Sequence, residues 1–390
     1  MKLRWLCWAA AAALLIPIAA RAQDAPPPSP TPLSSRLTFD SVPPPPVPDD
    51  PLELVTDDAQ PVTDPEQRAA EIAVLDNARN LSYVRAHPYD LNTTFTSFDP
   101  ASGTNSEWTE EDIWPGQDIY RWSTEGPQYS AIFLTKDSLL SSNQPTNAIP
   151  LRLAQVRDAI FFAYTWVHEH ASVRTATGTL AGEELHCILI AHNVGTRILT
   201  GARNWDEYEY CIEPNTGLLM TYSPAPGIYY HYDYQGAAHF HGKIIPSEFT
   251  ISEAGRIVVE ARTLSVTDPV GPNSPIFSGE GLKPLGTGPA TLGAAVFSVG
   301  GGFLPNLRPQ TVSSPPKLQI VVVAGITASD GHLAESEILA STAEDLDQAA
   351  IDQANKFGRM QCGCGPGTAP GAVKPSREVI YVVRIFQNAT

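Results

Sequence analysis

The sequence predicts an α+β fold in two units: a middle domain rich in antiparallel sheet and a small β-β-α-β domain at the C-terminus. Three observations lead there. Between 89 and 267 the chain is a series of short β-rich segments broken by Gly, Pro, Asn and Asp. From 317 onward the pattern changes to strand, strand, helix, strand. Before and between these lie stretches too rich in Pro and Gly to build a core. The division that follows is 1–22, a leader; 23–63, a Pro-rich arm; 64–267, the middle domain; 268–316, a Pro/Gly-rich linker; and 317–390, the C-terminal domain.

The leader has a positive start at Lys2 and Arg4, an uncharged apolar run from Trp5 to Ala20, and Ala20-Arg21-Ala22 as a cleavage site. This is the pattern of a secretory signal peptide, and it places the chain in the periplasm or cell envelope. The rival reading keeps the segment as an uncleaved inner-membrane anchor. Against that stands its length, short of the roughly 20 residues a spanning helix needs. Cys7 lies inside the run and Gln23, not Cys, directly follows the cleavage site, which argues against a lipoprotein. Residues 23–63 carry APPPSPTP and VPPPPVPDDP, which force extended polyproline conformation and serve as a spacer or an inert lead-in.

Asp64-Pro65-Glu66 starts a helix: an N-cap acid, Pro at the first position, then an acid near the positive end of the dipole. Ala69, Ile72, Leu75 (or Ala73) and Ala78 form its apolar stripe, and His87-Pro88 sets its limit. Strands are predicted at Leu91–Phe98, Ile119–Ser123, Tyr129–Leu134, Leu185–Ala191, Glu207–Ile212, Leu218–Tyr222, Ile228–Tyr234, Phe240–Ile244, Phe249–Ser252 and Arg256–Ser265. Gln155–His168 is the one helix expected within this series.

The linker at 268–316 includes DPVGPNSPIF, GLKPLGTGPATLGA and VGGGFLP. After it, Leu318–Ile326 is dense in β-branched residues and reads as a buried strand. Asp330-Gly331 is a two-residue hairpin signal, and Leu333–Leu339 returns the chain. A helix follows, with Leu346, Ala349, Ala350, Ala354 and Phe357 on one face. Arg377–Phe386 closes the chain as an apolar strand.

This segment resembles the C-terminal domain of TonB-family energy transducers. The resemblance is carried by the strand ending near Asp330-Gly331, then Ser341-Thr342, Leu346-Asp347, Ala349-Ala350 and the terminal strand. After the helix, KFGRMQCGCGPGTAPG stands where the family has an aromatic run ending in Pro, and only Phe357 and Pro366 loosely correspond. The resemblance implies docking to an outer-membrane β-barrel receptor by strand addition, with Val379–Phe386 as the available edge. The middle region is similar in texture to LolA-like and outer-membrane-lipoprotein-like half-barrels. There the leading helix, CIEPNTGLLMTY and YDYQGAAHFHGKIIPSEFTI carry the likeness. It implies a concave apolar surface that holds a lipid or peptide. The functional expectation is therefore an exported protein engaged in TonB-type transport. The alternative is a periplasmic carrier or sensor of a hydrophobic ligand.

A formal charge of −17 excludes nucleic acid, because phosphate binding needs a basic surface. His231, His239 and His241 lie close in sequence, and His168-Glu169-His170 adds a second pair, but no metal-ligand spacing is complete. Glu107, Glu110, Glu111, Asp112, Glu183, Glu184, Glu207 and Glu209 read as a solvated acidic surface. The tyrosines at 208, 210, 229, 230, 232 and 234 either line a groove or half-bury with their hydroxyls outward. No nucleophile elbow, P-loop or dinucleotide fingerprint occurs, so neither an enzyme nor a cofactor is expected. Cys187 and Cys211 sit on predicted strands that a hairpin brings opposite one another, and are disulfide candidates. Cys362-Gly363-Cys364 is read as a strained bridge, two exposed thiols or a redox pair.

Overall fold

The computed structural model describes residues 59–99, 102–116, 118–161, 167–192, 203–204, 207–287, 291–303, 317–328, 331–362 and 376–387. The expected leader, most of the Pro-rich arm and Cys364 lie outside them. The first elements are β1 (Gln60–Pro61), α1 (Pro65–Ser82), β2 (Tyr89–Asp99), β3 (Thr104–Trp114), β4 (Ile119–Glu125), β5 (Ser130–Lys136), β6 (Leu139–Ser142) and α2 (Leu151–Phe161). Then come β7 (Ser172–Leu180), β8 (Glu183–Ala191), β9 (Glu207–Ile212), β10 (Leu219–Ala225), β11 (Ile228–Asp233), β12 (Ala238–Phe240) and β13 (Lys243–Ile245). The rest are β14 (Glu248–Glu253), β15 (Arg256–Thr267), β16 (Lys283–Thr287), β17 (Thr291–Phe303), β18 (Lys317–Thr327), β19 (Leu333–Ser341), α3 (Asp347–Cys362) and β20 (Ser376–Gln387).

Fourteen strands form one sheet in the order β1-β7-β8-β9-β10-β11-β14-β15-β2-β3-β4-β5-β6-β16. Every pairing described in it is antiparallel. Strict alternation builds the inner face. On β2, Tyr89, Leu91, Thr93, Phe95 and Ser97 are buried while the residues between them are not. Registered neighbours then stack across strands: Phe95 on Trp108 at 5.6 Å, and Trp122 on Phe133 at 4.5 Å. Tyr210, Tyr222 and Tyr230 make a similar ladder across β9, β10 and β11, at 5.1 and 5.3 Å.

Against this face lies α2. Its Arg157 is buried and faces the carboxylates of Glu110 and Asp112 (2.6 Å to the latter), the Tyr120 hydroxyl, and the ring of Trp122 at 4.2 Å. The expected acidic surface is thus corrected in part. Glu110 and Asp112 alternate with outward residues on β3 and point inward, and Glu207 and Glu209 are buried beside Arg174 and Arg203. Period-2 geometry, invisible in a count of acids, turns half of them into the interior.

The second sheet has the order β17-β20-β18-β19. From 317 onward its elements run β-β-α-β, and α3 covers one face through Ala350 and Ala354, with Leu346 just before it. The other face joins the main core: Ile320, Val322, Ile380 and Val382 belong with Val156, Tyr230 and Phe133 to one apolar cluster. Burial on both faces explains why β18 is a continuous apolar run rather than an alternating one. Each of its fully buried Val and Ile side chains contributes roughly 1.5–3 kcal/mol relative to exposure.

Two expectations change here. Residues 268–316 are not a linker throughout, because β16 extends the large sheet beside β6 and β17 pairs in parallel with β20. That parallel pairing also removes the expected docking edge. β20 is interior, bonded to β17 on one side and β18 on the other, and has no free main-chain edge for strand addition.

Candidate functional site

Ala159 and Ile160 of α2, the end of α1 and the inner strands leave a gap between them. Asp64 caps α1 by accepting from the Gln67 N–H at 2.8 Å, and the helix ends at Ser82. Ser82 at its end and Tyr83 and Val84 just beyond, with Ala159 and Ile160 of α2, form one wall of a pocket. Leu219, Tyr232, Phe249 and Thr263 form the strand wall, and Tyr234, Ile245 and Pro246 close the side. The space is about 480 Å³ counted to its open mouth.

No lining residue is charged. The hydroxyls that line the pocket are largely committed elsewhere. Tyr232 donates to the Ala159 carbonyl at 3.0 Å, Tyr234 to the Leu219 carbonyl at 3.0 Å, and Ser82 to the Ala78 carbonyl at 3.2 Å. The Tyr232 and Tyr234 bonds also tie neighbouring walls together. A water in such a space would find few polar groups to bond, so the pocket favours an apolar occupant.

The other residues singled out in the sequence fall elsewhere. Cys187 and Cys211 face each other on β8 and β9 and form a disulfide, with Cα atoms 4.0 Å apart on the face away from the tyrosine ladder. Glu209 approaches the two sulfurs, but sulfurs bonded to each other have no thiolate to offer a metal. Cys362 ends α3. His239 lies on β12, whereas His241 has left the strand with φ 47° and pairs with Asp268 at 2.6 Å, so the two do not share a strand face. His231 is buried on β11 against Thr221. His192, which sequence reasoning passed over, sits between His168 and Tyr208, and burial followed by the charge of His168 pushes it down to about 4. Among the described residues no helix is long and apolar enough to cross a membrane.

Fold and pocket together describe an α+β sheet protein with an apolar cavity beside its enclosed helix α2. No family model matches the chain, and no curated protein matches it. Among solved structures it is similar to a LolA superfamily protein from Nitrosomonas europaea, at 10% identity and a TM-score of 0.35, over 50% of this chain and 92% of that one. It is also similar to a DUF1329 family protein from Desulfovibrio piger, at 9% identity and a TM-score of 0.34, over 55% of this chain and 98% of that one. At this level the likeness carries neither a ligand nor an activity to the present chain.

Proposed function

We propose that the protein is a non-enzymatic envelope carrier or sensor that holds a hydrophobic ligand, an acyl chain of a lipid, in the pocket between α1, α2 and the inner strands. The observation that supports this is the pairing of uncharged walls with wall hydroxyls already bonded to main-chain carbonyls. Such a surface gains from covering by apolar groups and leaves few polar atoms unsatisfied when water departs. The envelope location rests on the leader read in residues 1–22. Receptor docking in TonB-type transport ranks second, because the strand expected to supply it is interior. Organic extraction of the mature protein, purified from the envelope without detergent, followed by mass spectrometry, tests the reading. A stoichiometric lipid supports it. A peptide in the extract corrects the ligand class, and an empty protein that also takes up no fatty acid or phospholipid on incubation refutes it.

A further inference from the structure

The helix that walls the pocket is held by carboxyl groups that outnumber the cations facing them. From β14, Glu253 reaches Arg152 at 2.7 Å and the Gln155 side-chain nitrogen at 2.6 Å. From β19, Glu337 takes Arg152 at 3.0 Å, and Glu335 accepts the Leu151 N–H at 2.9 Å. From β20, Glu378 accepts from the same Gln155 nitrogen at 3.2 Å and from the Tyr230 hydroxyl of β11 at 3.3 Å. Glu253 and Glu337 thus share Arg152, and Glu253 and Glu378 share the Gln155 side-chain nitrogen. Arg152 is the one guanidinium within this group, because Arg157 is turned toward Glu110 and Asp112.

A carboxyl group that takes up a proton loses its charge and gains a donor. Glu253 and Glu337 converge on the guanidinium of Arg152, and Glu253 and Glu378 on the one Gln155 nitrogen, so protons on this group relieve its crowding. Without those protons, like charges meet in a poorly hydrated space and repel. Glu337 is the member that water reaches, with 27% of its side chain exposed against 5% for Glu253.

We infer that this network is a proton-controlled clamp: protonated, it fixes α2 between the two sheets, and deprotonated, it frees α2 and with it the Ala159–Ile160 wall of the pocket. The effect on ligand rests on the reading of the pocket as the binding site. Geometry supplies the coupling, since Arg152 and Gln155 lie on the same helix as Ala159, whose carbonyl anchors Tyr232. The setting is also appropriate to titration near neutral pH. Burial first, then the charge of Glu253, pushes Glu337 up to about 8, and burial raises Glu378 as well.

The test follows two readouts from about pH 6 to about pH 9. One is hydrogen-exchange protection of α2 and β19, corrected for the intrinsic pH dependence of exchange. The other is the Kd of N-phenylnaphthylamine, an uncharged apolar fluorophore. In wild type, protection should fall and Kd should rise about fivefold or more as pH increases. In Glu337→Gln both responses should shrink, because the amide at 337 carries no titrating proton and only the Glu378 end of the network still responds. Constant wild-type protection overturns the clamp, as does a Glu337→Gln protein that keeps the wild-type response. A fluorophore that never binds, or binds an Ala159→Phe protein equally well, overturns the pocket reading instead. The exchange data still decide the clamp in that case.

Discussion

The Tyr232 hydroxyl donates a 3.0 Å hydrogen bond to the main-chain carbonyl of Ala159. One bond thus joins the strand wall of the pocket to its helix wall. Tyr232→Phe keeps the ring against Phe249 and removes only the hydroxyl. The expected result is a loss of about 0.5–1.5 kcal/mol in denaturant unfolding, the net worth of a typical intramolecular hydrogen bond. A change within error would mean that the carbonyl finds another donor.

Gly358 of α3 lies against the turn between β18 and β19. A Cβ placed there would sit 2.4 Å from the Gly331 carbonyl oxygen and 3.0 Å from the Tyr381 hydroxyl. Helix propensity alone predicts that Gly358→Ala stabilises by roughly 1 kcal/mol. Overpacking against backbone, with a typical cost of about 1–3 kcal/mol, opposes this and should win. Thermal unfolding of the variant therefore gives a lower Tm; a higher one would show that α3 can shift outward freely.

The Cys187–Cys211 bridge closes a separation of 24 residues. A loop of that size gives about 3 kcal/mol of stabilisation in the chain-entropy account. Reduction, or replacement of both cysteines by Ala, should lower the urea midpoint accordingly with the slope little changed. Alkylation of both thiols in native, unreduced protein would show that no bridge exists.

Stability should depend on pH through the clamp, with a definite sign. Glu337 has a folded value raised to about 8 from an ordinary 4.5, so the folded state binds the extra proton between these limits. Its contribution is full below the ordinary carboxylate range and is lost as pH rises toward 8. His192, lowered to about 4, acts oppositely at the acid end: neutral in the fold, it gives stability that grows as pH rises toward its ordinary 6.5. Subtracting the Glu337→Gln profile from the wild-type profile isolates the first effect. A difference that is flat across that window would contradict it.

Much of the architecture was readable from local chemistry. The Asp64-Pro65 start of α1 and the apolar runs of β18 and β20 carry their own signals, because capping and two-faced burial leave marks in sequence. β17 did not. Its TLGAAVFSVGGGF is Gly-rich and sits among prolines, and it is a strand because β20 offers a parallel partner, which is a tertiary cause. β3 was missed for a related reason, since TNSEWTEEDIW reads as polar until Arg157 is placed over its inner face. Ser172–Leu180, alternating Thr with small residues, was passed over in the same way. The expected helix Gln155–His168 begins four residues earlier, at Leu151, and is described to Phe161. For the site, Tyr232 and Tyr234 were visible as an alternating pair, but nothing local showed that both hydroxyls would turn to main-chain carbonyls. The pocket also needs α1 and α2 brought to one place from separate parts of the chain, which residue spacing does not encode.

Fluorescence titration with N-phenylnaphthylamine of wild-type and Ala159→Phe protein tests the central claim most directly, with unfolding curves to show that both are folded. The pocket account predicts saturable binding to wild type and a loss of about tenfold or more in affinity when Phe fills the helix wall. Equal binding by both proteins, or none by wild type at pH values where the helix is held, would contradict it.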